Sequence, residues 1–180
     1  ATKFFAVGGR VPFIAAGVGA IATQALLNPF YGVDGLELLR QGIAPKDVIA
    51  RLIAADAGRD HRQLHLMDAA GHIAAHTGAA CVSWCGHLAG DGFSIAGNML
   101  SGPTVLDATA TAYVAGAALP LARRLIMAMR AGEAAGGDKR GRQSAALLIH
   151  GAERWSDLDL RVDDHADPLG ELDRLWRVAQ

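Results

Sequence analysis

The stretch Gly136-Gly137-Asp138-Lys139-Arg140-Gly141-Arg142-Gln143-Ser144 constrains the fold more than any other part of this chain. Three glycines make a helix costly there, because glycine loses more backbone freedom on being fixed than any other residue. One carboxylate and three cations make the stretch too polar for a core. It runs directly into Ala145-Ala146-Leu147-Leu148-Ile149, an apolar run with the length of a buried strand. The segment is therefore expected to be a loop that delivers charge and backbone N–H groups to the mouth of a sheet. Loops at strand ends are where scaffolds hold their binding and catalytic groups.

Apolar residues make up 51% of the 180 and charged residues 19%, which suits one domain over 1–180 with a substantial core. A net charge of −1, with cations dispersed outside the glycine-rich stretch, argues against a nucleic-acid partner. The sequence holds no apolar run of about 18 residues, so no membrane partner is expected. Lys3 and Arg10 sit near the start, but glycine and proline interrupt any apolar segment, so no secretory leader is expected. Cys81 and Cys85 are the only cysteines, and C-x-x-x-C is neither a zinc-ribbon nor a thioredoxin spacing. Reduced cysteines, a cytoplasmic location, and neither metal nor cofactor are the expectation.

Periodicity places the elements coarsely. Residues 17–25 read as a buried strand with Gln24 and Asn28 at its exit. Residues 33–40 and 45–55 read as short helices, Pro45 suiting the first turn of the second. Residues 63–67 and 72–76 read as a hairpin around a four-residue turn, 68–71. That register opposes Met67 to His72 and Gln63 to His76, and puts Gln63, His65, Met67, His72 and His76 on one face. A short strand is expected over 93–96, helices over 103–116 and 119–135, strands over 144–150 and 158–162, and a terminal helix over 168–178. In the helix at 119–135, Leu121, Leu125, Ile126 and Met129 form the apolar stripe. Blocks of strands alternating with helix pairs point to an α+β class rather than a doubly wound sheet.

Several polar groups could carry chemistry, and each has a plain structural reading beside it. The N–H groups around Gly136, Gly137 and Gly141 could form an anion-accepting nest, with Asp138, Lys139, Arg140, Arg142 and Gln143 about it. Equally, Asp138 and one arginine could pair and simply hold the loop's shape. His76 could be a general base or a substrate donor, or a hydrogen-bonded structural histidine. With His65 and His72 it could also draw a three-histidine metal set, though no carboxylate is fixed nearby. In Asp163-Asp164-His165, alternation sends Asp163 and His165 to one face, where Asp163 could orient His165; Asp164 or Asp167 could instead cap the helix that opens at Pro168. Gln24, Asn28 and Asn98 at strand exits suit oxyanion or substrate-amide hydrogen bonding, and suit turns just as well. A Cys–His87 dyad can be drawn around Trp84, but nothing in the spacing separates it from a loop anchored by the tryptophan.

Several segments together resemble one family: Lys3-Phe4-Phe5-Ala6-Val7-Gly8, residues 17–24, His76-Thr77-Gly78, Gly97-Asn98-Met99-Leu100, residues 136–144 and Leu160-Arg161-Val162-Asp163-Asp164-His165. The set, in this order over nearly the whole chain, is similar to the domain of unknown function 1028 family within the N-terminal-nucleophile (Ntn) hydrolase superfamily. The resemblance implies a four-layer αββα sandwich, here without its N-terminal strand or hairpin. It implies an amidohydrolase acting on a small amide or peptide-like substrate, or a non-catalytic binder of a small anion or amino-acid derivative on the same fold. Ntn chemistry uses a Thr, Ser or Cys as first residue with its own α-amino group as base. Ala1 offers no nucleophile, so the expectation is one upstream of Ala1 or, failing that, Thr2. Lys3 would tune its acidity and Asn98 or Gln24 would hold the oxyanion. His76, Asp138, Lys139, Arg140, Arg142, Gln143, Asp163 and His165 would bind the amide or carboxylate ligand. By analogy with such sandwiches a homo-oligomer is expected.

Overall fold

A computed structural model describes residues 1–180 as a mixed α/β protein of five α-helices and antiparallel sheets. The largest sheet has the order β1 (Pro12–Ala15), β2 (Gly19–Ala25), β3 (Arg62–Asp68), β4 (Ile73–Thr77). Two hairpins accompany it, β5 (Gly86–Gly90) with β6 (Phe93–Gly97), and β7 (Ala145–Ile149) with β8 (Leu158–Val162). No helix is long and apolar enough to cross a membrane.

Strand alternation sorts the large sheet into two faces. On one, Ile21 of β2 and Leu64 and Leu66 of β3 pack against α1 (Phe30–Arg40) and α2 (Pro45–Ala54), which contribute Tyr31, Leu39, Val48, Ile49 and Leu52. Pro45 opens α2 and Asp47 lies in its first turn, both favourable where the helix has free N–H groups. Asn28 Oδ1 accepts the Phe30 N–H, which starts α1 three residues earlier than its apolar spacing suggests. A second core joins β7 and β8 to α4 (Leu121–Ala134) and α5 (Pro168–Val178) through Ala122, Ile126, Leu147, Val162, Leu169 and Leu172. Ala122 rather than Leu121 faces this core; Leu121 is exposed. Helix α3 (Thr104–Ala115) lies against α4 and β6. Asp167 caps α5 by accepting the Gly170 N–H.

The β3–β4 hairpin is paired one residue away from the expected register. Met67 faces Ile73, Leu64 faces His76 and Gln63 faces Thr77. The cause is the turn: Asp68 stays in the ladder, donating its N–H to the His72 carbonyl, while Oδ1 accepts from Ala70 and His72. Only Ala69, Ala70 and Gly71 remain as the loop, with Gly71 left-handed at φ 87°. A three-residue loop ending in a left-handed glycine is a favoured hairpin connection. The slip sends His76 to the opposite face from His65 and dissolves the three-histidine set.

Leu64 is fully buried at the centre of the first core. Truncation to alanine should cost about 2–5 kcal/mol, read as a lower denaturant midpoint at constant slope.

Candidate functional site

The glycine-rich loop is a clasp. Gly136, Gly137 and Gly141 have φ of 118°, 51° and 104°, values that side-chain-bearing residues rarely adopt. Their N–H groups are spent internally on the carbonyls of Glu133, Gly132 and Asp138, so the expected anion nest is not formed. Asp138 pairs across a bridge with Leu100, and Lys139 N–H donates to the Met99 carbonyl. Thr2 bridges to Ser144 at the loop's far end. The loop thus ties the N-terminal segment to the segment that leaves β6.

The Asp138 carboxylate lies at that crossing. Its Oδ2 accepts from Thr2 Oγ1 at 3.1 Å, from the Lys3 backbone N–H at 3.1 Å and from Arg140 Nη2 at 2.7 Å. Its Oδ1 accepts from the Arg140 backbone N–H and Nε, both at 3.0 Å. Burial alone would raise the pKa of Asp138, but the bonds from Arg140 and the Lys3 N–H hold it below the ordinary carboxylate value. Arg140 Nη2 also reaches Thr2 Oγ1 at 3.3 Å. Lys139 Nζ donates to the Ser83 carbonyl at 2.6 Å, and Arg142 pairs with Glu133 at 3.0 Å and Asp167 at 3.5 Å. Gln143 Nε2 donates to Asp164. Each cation of the loop therefore has an acceptor within the protein.

Beside the clasp is a cavity of about 230 Å³ whose walls include Thr2, Gln24, Asn98, Met99, Asp138 and Arg140. Gln24 and Asn98, on different elements, both donate to Gln63 Oε1, at 2.7 and 3.3 Å. Gln63 is fully buried, and its Nε2 lies 3.0 Å from Thr77 Oγ1, 2.9 Å from the Gly86 carbonyl and 3.0 Å from the Gly97 carbonyl. Thr77 Oγ1 in turn meets His87 Nδ1 at 3.0 Å. Two wall residues, Ala25 at φ 68° and Met99 at φ 54°, are non-glycine residues in the left-handed region. Such conformations cost about 1–3 kcal/mol and persist where the surroundings impose them, most often at functional sites.

A larger cavity of about 880 Å³ adjoins the first, sharing Thr2, Leu100 and Asp138. It lies between the face of β2–β3 turned away from α1 and α2, through Ala20, Ala22, His65 and Met67, and helices α3 and α4. Its wall is mainly apolar. His65 Nδ1 is 2.8 Å from Ser94 Oγ, and burial, with the nearby His87 charge adding, pushes the His65 pKa down to about 4.

The remaining sequence candidates lie elsewhere. His76 Nε2 bonds the Arg59 carbonyl and lines neither cavity. Asp163 accepts from Arg161, and His165 Nδ1 accepts the Asp167 N–H, so Asp163 does not orient His165. Lys3 contributes its backbone N–H rather than its ammonium to the clasp. Asn28 is spent on α1 and Asp56. His87 meets Thr77 rather than a cysteine, and the Cys81 and Cys85 thiols donate to the carbonyls of Arg62 and Cys81. No group of three or more His, Cys, Asp or Glu side chains is placed to hold a metal ion. Gln63 and Thr77 are the network members that sequence reasoning missed; the available signal was a glutamine next to Leu64, in a strand that alternates polar and apolar residues over 63–66.

The family model described as a family of unknown function (DUF1028) matches residues 1–172. The crystal structure of protein SPO2555 from Silicibacter pomeroyi, described with the same DUF1028 model, is similar at a TM-score of 0.93 and 36% identity. The likeness covers 99% of this chain and 77% of that one. A comparison with curated proteins found no match.

His65 gives the cavity wall a pH signature. Its folded pKa of about 4 lies below its ordinary 6.5, so the unfolded chain takes up the proton first as pH falls. Its stabilising contribution is complete above about pH 6.5, declines toward pH 4 and amounts to at most about 3 kcal/mol. Denaturant-derived stability of wild type minus His65→Gln, measured from pH 7.5 to 4, should fall over that window; a flat difference would contradict it.

Proposed function

This chain belongs to the family of unknown function DUF1028, and from that premise we propose that it hydrolyses the C–N bond of a small amide or peptide-like substrate on an Ntn-type αββα sandwich. The observation that carries the reading is the pair of side-chain amides, Gln24 and Asn98, on the wall of a cavity that also holds the Thr2 hydroxyl. Each amide spends one N–H on Gln63 and keeps a second with no partner in the protein. Two such donors on one carbonyl oxygen favour the negative charge that develops when a nucleophile attacks the adjacent carbon. A nucleophile approaching from the Thr2 side bonds to the carbonyl carbon through its oxygen or sulfur and gives up its proton to the amine, which leaves as the C–N bond breaks; water then attacks the acyl-enzyme, releasing the acid and restoring the nucleophile's O–H or S–H. Asp138 and Arg140 hold the Thr2 hydroxyl; the base in Ntn chemistry is the free α-amino group of the nucleophile's own residue, which Thr2 would gain only on cleavage of its peptide bond to Ala1.

The sandwich reading draws support from helices on the outer side of both the β1–β4 sheet and the β7–β8 hairpin. It is supported also by the edge of β7, where Thr2 already pairs with Ser144 beside the 880 Å³ apolar cavity.

Ligand binding without turnover is the second reading. The Thr2 nitrogen favours it, since it lies in a peptide bond and donates to the Ser144 carbonyl, and so offers no base beside the Thr2 hydroxyl. An amide-library screen of protein isolated from cells, with N-terminal sequencing of the same sample, separates the two. Turnover with a mature Thr, Ser or Cys start is expected, and Asn98→Ala should lower kcat by about 10²–10³-fold. Thermal-shift hits without turnover, at any start residue, would leave binding alone.

A further inference from the structure

We infer that Gln63 is the positioning residue that makes the small cavity a donor site, selecting ligands by an oxygen acceptor rather than by an ammonium or other N–H group. The inference rests on the ligand site proposed above and names the chemistry that site accepts.

The argument starts from groups that can play only one role. The carbonyl oxygens of Gly86 and Gly97 can only accept hydrogen bonds, and they lie 2.9 and 3.0 Å from one end of the Gln63 side-chain amide. That end must be the NH₂, because turning the amide over would press its oxygen against two carbonyl oxygens. Thr77 Oγ1, 3.0 Å away, can accept from the same end while donating to His87 Nδ1. Oε1 therefore points to Gln24 and Asn98 and can only accept. Those two side chains must meet it with their own NH₂ groups, which fixes their amide orientation in turn. Each keeps one further N–H, beside its own amide oxygen, without a partner in the protein, and the two NH₂ groups are held close together by a shared acceptor.

Burial makes the arrangement stiff. Gln63 is fully enclosed, and an unmet polar group at such a place costs about 1–3 kcal/mol, so the network resists any rearrangement that breaks a bond. Register places it as well: Gln63 stands between Gln24 on β2 and Thr77 on β4 in directly opposed pairs, while Asn98 follows the end of β6. The three polar side chains of the row lie on the sheet face away from the first core.

The test uses the full chain, Gln63→Met and Asn98→Asp, with N-acetylglycine and methylammonium as probes and side-chain amide NMR as the readout. Wild type is expected to bind N-acetylglycine, with shifts at the Gln24 and Asn98 NH₂ signals, and to show no shift with methylammonium. Gln63→Met should weaken N-acetylglycine at least tenfold and erase the slowly exchanging protons of both NH₂ groups. A purely structural Gln63 would instead lower the melting temperature and leave affinity and those signals unchanged, which would overturn the inference. If Gln63→Met does not fold, Asn98→Asp decides, since it removes a donor without shortening the side chain: tenfold loss of N-acetylglycine supports, unchanged affinity overturns. If wild type binds no N-acetylglycine, the proposed ligand class fails. Gln63 is then judged on the free protein, where protected NH₂ protons lost in the variant support positioning and unaltered ones overturn it.

Discussion

Asp138 ties together three stretches of chain. Its carboxylate holds the Thr2 hydroxyl and the Lys3 N–H from the chain's start and the guanidinium and N–H of Arg140 from its own loop, while its backbone, through the Leu100 bridge, meets the segment leaving β6. Its side chain is only 8% exposed, so the charge has largely lost water and must be repaid by these donors. Five of them converge on two oxygens. Removing the carboxylate would strand Arg140 and release Thr2 together, which makes the clasp a cooperative unit rather than a sum of separate bonds.

The cavity beside the clasp depends on a second fully satisfied network, and the two differ in kind. The clasp is ionic and half open to solvent at Arg140; the Gln63 network is neutral and closed. A neutral network suits a place where backbone strain is also held. Ala25 and Met99 sit left-handed directly beside Gln24 and Asn98, so the amides project from turns that the chain would otherwise avoid. The exit of β2 carries Gln24 and the exit of β6 carries Asn98, and it is the strained residue after each that redirects the chain.

Much of this was legible in the sequence where one force dominated. Residues 158–162 and 168–178 coincide with β8 and α5, because apolar spacing, a capping aspartate and Pro168 all agree there. β1 carries no strand signal in the sequence: it opens with Pro12 at the sheet's edge, where proline is tolerated but no alternation announces a strand. β5, bounded by Gly86 and Gly90, hid for a similar reason. The hairpin register turned on one side chain, Asp68, whose Oδ1 bonds within the turn decide between a three- and a four-residue loop. Gln24, Asn98, Asp138 and Arg140 were each visible as candidates, and the structure brings them to one cavity. Gln63 was not, because its role is defined by carbonyl groups of Gly86 and Gly97 that no side-chain pattern reveals.

The charged loop reads differently once its partners are known. From composition, three cations in nine residues suggest a site that captures an anion by charge. In the folded chain each cation is already met, Arg140 by Asp138, Arg142 by Glu133 and Asp167, Lys139 by a carbonyl. A ligand would have to displace an existing ion pair to use Arg140, and the exchange of one paired carboxylate for another gains little. The uncommitted donors are the neutral ones, the second N–H groups of Gln24 and Asn98. Recognition by neutral amides depends on geometry more than on net charge and is weakly screened by salt, whereas recognition by the loop's arginines would fall as ionic strength rises. The loop's charge therefore serves to build the wall beside the neutral donors, and under the proposed function the specificity of the cavity would follow from where those amides are held.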